Sequence, residues 1–127
     1  MTDSVRCPCL SGNTFDSCCG PLLQGAAAPT AERLMRSRFT AFSREDAAYL
    51  LRTWHPTTRP LAVDFDPGLR WLRLVILDRV AGGPFDDEGV VEFEAHWVQD
   101  AERGALHERS RFVREERQWY YLDGDVR

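Results

Sequence analysis

All four cysteines of this 127-residue chain fall in one short stretch, as Cys7-x-Cys9-x8-Cys18-Cys19. Residues 1–25 hold turn formers and few periodic apolar positions, so they cannot bury enough surface to fold unaided. A cross-link or a metal must hold them. Zinc takes four thiolates in a closed tetrahedral site, and two close cysteine pairs joined by a turn satisfy that geometry. Ser11-Gly12 supplies the turn, and Phe15 can cover the cluster with apolar surface. Disulfides and free thiols are the alternatives. Cys18 and Cys19 cannot easily bridge to each other, although each could reach Cys7 or Cys9. The redox compartment decides between them. Met1–Arg6 is polar and carries no apolar leader segment, so the chain reads as cytoplasmic, where metal is favoured over disulfide. The expectation is one structural Zn2+ on Cys7, Cys9, Cys18 and Cys19, with no open position for catalysis. Chelation should then unfold residues 1–25 and leave the rest of the chain folded.

Net charge is −4, which argues against nucleic acid or an anionic membrane as partner, because both need a basic surface. No apolar run approaches the ~20 residues of a spanning helix. All 16 basic residues are arginine, so Schiff-base and P-loop lysine chemistry are ruled out.

Beyond the connector Gly25–Pro29, Thr30 is placed to cap a helix from Ala31. Met35, Arg38, Phe39 and Phe42 give that helix one buried face. Ser43 with Asp46 resembles a capping box opening a second helix. Ala47, Leu50, Leu51 and Trp54 share a face of it, and Pro56 ends it. After a proline-containing loop to Pro67, the pattern changes to strands at Trp71–Val80. Next comes a strand in which Val91, Phe93, Ala95 and Trp97 alternate with Glu92, Glu94 and His96. Glu102-Arg103-Gly104 reads as the hairpin turn into Ala105–Glu115. Gln118–Leu122 is a last strand stopped by Asp123-Gly124. Helices followed by a four-stranded antiparallel sheet make an α+β fold. The division is 1–25 for the cysteine knuckle and 26–127 for the body.

The run Cys7-Pro8-Cys9-Leu10-Ser11-Gly12-Asn13-Thr14-Phe15-Asp16-Ser17-Cys18-Cys19-Gly20 resembles the SEC-C motif, the zinc knuckle also found at the C-terminus of the protein-export motor SecA. Leu34–Phe39, Thr53-Trp54-His55-Pro56, Glu108-Arg109-Ser110-Arg111-Phe112 and Gln118–Gly124 resemble segments of the YchJ family of bacterial proteins. The resemblance implies a nuclear-transport-factor-2-like cone, with helices wrapped on a curved antiparallel sheet. It also implies that the knuckle is a protein-contact element. Many SEC-C knuckles carry lysines between the ligand pairs, whereas Leu10–Ser17 has no base and one acid, Asp16. Longer relatives end in a second knuckle, and none follows Gly124 here, so bivalent docking is not expected.

On the third strand Leu106, Glu108, Ser110 and Phe112 share a face, and Phe112 points it inward. One reading makes Glu108 or His55 a general acid or base in a pocket with Arg38, Ser110, Trp54, Trp119 and Tyr121. The other makes Arg38–Glu108 a structural ion pair and His55 a cap on the second helix's C-terminus. No nucleophile–base–orienter pattern is visible, so the structural reading is preferred and no catalytic residue is assigned. His96 and His107 read as solvated surface, and the Arg36-Ser37-Arg38 and Arg109-Ser110-Arg111 runs as ordinary ion-pairing surface. The function expected is a zinc-bearing protein-interaction module. The alternative is a small-molecule-binding or hydrolytic protein using the inside of the cone.

Overall fold

The computed structural model describes residues 5–127. Four long strands, β1 (Arg70–Ala81), β2 (Glu88–Gln99), β3 (Glu102–Glu115) and β4 (Gln118–Val126), follow three helices, α1 (Cys19–Leu23), α2 (Ala31–Ser43) and α3 (Ala47–Arg52). The strands form one antiparallel sheet in chain order. Register shifts at Trp71/Arg73, Ile76/Asp78 and Arg111/Phe112 bend it. α2 packs on its inner face against β1, β2 and β4, and α1 and α3 pack on α2, which is the α+β cone expected from the sequence.

The hydrophobic alternation of β2 sets the register. Val91, Phe93 and Ala95 are buried, and they pair with Ser110, Glu108 and Leu106 of β3. A one-residue slip would turn this whole set outward. That requirement moves the β2–β3 turn to Asp100-Ala101, both with positive φ (53° and 78°), not to Glu102-Arg103-Gly104. Such turns match the twist of a hairpin and usually carry glycine, which is why the sequence pointed to Gly104 instead. Gly104 lies within β3 because the Trp97 indole rests on it, in space a Cβ would occupy. β4 likewise runs through Asp123-Gly124 to Val126.

Thr30 caps α2 as expected, accepting from the Arg33 N–H at 3.1 Å. Ser43, however, is the last residue of α2, and its buried hydroxyl has no hydrogen-bond partner among the described residues. Asp46 is the cap of α3, accepting from Tyr49 N–H at 3.1 Å. α3 stops at Arg52, four residues before Pro56, because the chain changes partner there. His55 N–H donates to Tyr121 O and Tyr121 N–H to Thr53 O, both at 2.8 Å. The segment 53–55 thus joins β4 as a short parallel bridge and ties the helices to the sheet.

Candidate functional site

Two places in the fold gather chemistry. In the first, an antiparallel bridge between Arg6 and Thr14 closes a small hairpin whose tip holds Leu10 (φ 61°) and Gly12 (φ 95°). Cys7 N–H bonds to Asn13 O and Leu10 N–H to Cys7 O, each at 3.0 Å, which turns Cys7 and Cys9 to the same side. A 3-10 turn, Phe15–Ser17, leads into α1 and brings Cys18 and Cys19 beneath them. All four sulfurs lie within 4.8 Å of one another, and each cysteine is at most 1% exposed. Cys9–Cys18 and Cys18–Cys19 Sγ separations are 3.6 and 4.0 Å. Four thiolates around a tetrahedral ion with bonds of ~2.3 Å would stand about 3.8 Å apart. A disulfide needs about 2.0 Å, and all four cysteines are free. Thiols this crowded must share protons. A hydrogen bond from Cys19 pulls the Cys7 thiol far down, and the same bond, helped by burial, pushes Cys19 up. The donor set therefore fits a metal ion.

Residues around the sulfurs extend this site into the body. Ser11 Oγ lies 3.1 Å from Cys18 Sγ, and Thr40 Oγ1, on α2, 3.7 Å from Cys7 Sγ. Hydroxyl donors of this kind orient thiolate ligands. Arg36 donates to Cys9 O at 2.9 Å and Arg33 to Cys18 O at 3.3 Å. Nothing along the chain marks Thr40, since only the fold brings it to Cys7. Phe15 packs against the cluster as expected, with Arg44 stacked 4.4 Å over its ring.

The second place is a cavity of about 210 Å³ inside the cone. Of the residues singled out in the sequence, Arg38, Trp54, Glu108 and Tyr121 line it. Ser110 sits behind Glu108, fully buried, and donates to its Oε2 at 2.5 Å. Tyr121 OH donates to the same oxygen at 3.0 Å. Glu108 does face inward, but the expected Arg38–Glu108 pair is not formed. Arg38 Nη1 donates instead to Leu50 O (2.8 Å) and Thr53 Oγ1 (2.7 Å). Its guanidinium lies over Trp54 and Tyr121, 5.0 and 4.7 Å from their ring centres. Loss of water pushes Arg38 down to about 10, so it stays charged at neutral pH. Burial, together with the Glu108 charge, pushes Tyr121 up, so its hydroxyl keeps its proton and remains a donor.

His55 and Trp119 lie outside this cavity. His55 turns to the rim of the sheet, with Nδ1 2.7 Å from Thr57 Oγ1 and Nε2 3.0 Å from Glu115 Oε2. Nor does it cap α3, whose last turn is closed by Thr53 N–H to Tyr49 O. Trp119 packs in the core beside the knuckle. The remaining walls include Phe39, Phe42 and Trp71, stacked edge to face. On the outer face His96 hydrogen-bonds Glu94 and His107 hydrogen-bonds Glu92, while Arg109 pairs ionically with Glu92, all partly exposed.

Residues 30–124 match the family described as "YchJ, middle NTF2-like domain", and residues 5–21 match the SEC-C motif. The chain belongs to the YchJ family. It is 52% identical to a UPF0225 protein of Streptomyces coelicolor, covering 94% of each chain. It is 47% identical to one from Corynebacterium glutamicum, over 95% of this chain and 97% of that one. Among solved structures, a SEC-C motif containing protein from Rhodopseudomonas palustris superposes with a TM-score of 0.83 at 34% identity, covering 97% of this chain and 99% of the other. A SEC-C motif containing protein from Psychrobacter arcticus gives 0.77 at 27% identity, over 100% and 86%. The SEC-C match spans all four cysteines, and the YchJ match spans every cavity residue named above. Among the described residues no helix is long and apolar enough to cross a membrane.

Proposed function

We propose that this YchJ-family chain is a zinc protein whose metal is structural, with residues 1–25 as the metal-held knuckle and 26–127 as the cone. The observation that carries this reading is the set of four buried sulfurs within 4.8 Å of one another, close enough for one tetrahedral ion to take all four. An all-sulfur tetrahedral donor set favours zinc, and with four protein ligands it leaves no coordination position for substrate. The metal would hold the cysteine pairs together in a reducing cytoplasm. The centre takes no part in catalysis, and its output is a rigid knuckle surface. Val5 and Leu10 are more than half exposed on that surface, and Leu10 is held there in a left-handed backbone conformation that a bulky side chain seldom adopts. Exposed apolar groups on a metal-rigidified turn support a protein contact.

Elemental analysis of purified protein should give about one zinc per chain. Substoichiometric metal with four freely titrating thiols would sink the zinc reading. The contact role has its own test, because Leu10→Asn keeps the left-handed turn while removing the apolar group. Crosslinked species captured by the wild type from cell extract should be lost with this variant. Identical capture would remove Leu10 from the contact and leave the metal centre untouched.

A further inference from the structure

We propose that the cavity inside the cone is a binding site for a small organic acid with an apolar, ring-sized body, its carboxylate held by Arg38 and a hydrogen-bond donor at its other end held by Glu108.

Arg38 carries the argument. It is 3% exposed, it is a cavity wall, and it makes no ion pair with a carboxylate among the described residues. A buried guanidinium is costly unless paired. Here only Nη1 is engaged, by two neutral oxygens, and the aromatic faces of Trp54 and Tyr121 supply the rest of the stabilisation. Nε and Nη2 make no hydrogen bond to any described residue. Together they form the side-on fork that donates to both oxygens of one carboxylate. The Trp54 and Tyr121 rings, at right angles to each other, flank the guanidinium on two sides, so little rotamer freedom is left to lose on binding.

Glu108 gives the opposite polarity in the same cavity. Both of its protein donors, Ser110 and Tyr121, go to Oε2, and Oε1 has no described donor. A ligand hydroxyl or amine can fill that position. Between the two charges the walls are Phe39, Trp71, Phe93 and Leu106. Benzene is held in an apolar cavity of about 150 Å³. The volume here, about 210 Å³, therefore has room for one ring with its polar substituents.

The test uses the full-length protein as purified, with its metal. Benzoate, 4-hydroxybenzoate and 3-phenyllactate are titrated while tryptophan fluorescence is followed, since Trp54 and Trp71 are both cavity walls. Saturable quenching is expected, strongest with the two hydroxy acids. The neutral 4-hydroxybenzamide should bind about tenfold more weakly than its acid, and so should the acid to Arg38→Lys, which keeps a charge but loses the fork. Ala95→Leu fills the cavity from the sheet side and should abolish quenching while the protein still melts cooperatively. Glu108→Gln should erase the preference for hydroxy acids over benzoate and keep binding. Failure of all three acids to saturate, equal affinity for the amide, or undiminished binding in Ala95→Leu would each overturn the proposal. Stronger binding of benzylamine than of benzoate would overturn it too, by making Glu108 the anchor in place of Arg38.

Discussion

Gly124 shows how one missing side chain shapes the cone. It pairs with Ser110 across β3 and β4, and a methyl group there would overlap the Glu108 carboxylate. Glu108 can lie between Ser110 and Tyr121 only because this position is bare. Read as part of a turn in the sequence, Gly124 instead supplies space inside a strand. Gly124→Ala should push Glu108 off both donors and destabilise the protein by about 1–3 kcal/mol, as overpacking does. Thermal melts would show it. The same variant with Glu108→Ala should recover part of the loss, since the clashing group is gone. No recovery would mean that the cost lies in the backbone of β4.

At the scale of elements, the α2–α3 junction separates two serviceable-looking caps. Asp46 satisfies the Tyr49 N–H, whereas the Ser43 hydroxyl is buried without a partner among the described residues. Losing a cap costs about 1 kcal/mol, so Asp46→Ala should lower stability by that amount. Ser43→Ala should be neutral or slightly stabilising, because it removes an unsatisfied polar group. Denaturant midpoints for the pair would settle it, and equal losses would return the capping role to Ser43. The sequence pattern could not choose, since both residues are good N-cap formers a few positions apart. What decides is Glu45, whose φ of 56° breaks the chain between the helices and leaves Asp46 at the start of α3.

Taken as a whole molecule, knuckle and cone share one core. The four cysteines belong to the same buried cluster as Leu34, Met35 and Phe39 of α2 and Leu74, Val91 and Phe112 of the sheet. Arg33, Arg36 and Thr40 add direct bonds from α2 to the knuckle. If the knuckle holds a metal as proposed, its removal should therefore weaken the body as well, where the sequence pointed to residues 1–25 coming away alone. Strong chelation should lower the melting temperature of the whole chain in a single transition, read in parallel by far-ultraviolet circular dichroism and tryptophan fluorescence. An unchanged main transition after complete metal removal would show that the knuckle is an independent module after all.

Features that depend on local spacing were legible along the chain. The cysteine pairs, the Thr30 cap, the inward alternation of β2 and the inward turn of Glu108 all follow from neighbours a few residues apart, where backbone geometry fixes direction. Which distant groups meet was settled by the packing of the elements against one another. Arg38 faces Leu50 O, Thr53 and two aromatic rings where Glu108 had been expected, because the bridge between residues 53–55 and Tyr121 draws α3 over its guanidinium. His55 is carried to the rim by that same bridge, and Thr40 reaches Cys7 because the knuckle seats on α2. Periodicity along the chain says which face a residue takes. The partner it finds on that face is set by the curvature of the sheet and the way the helices cross it, which no single segment encodes.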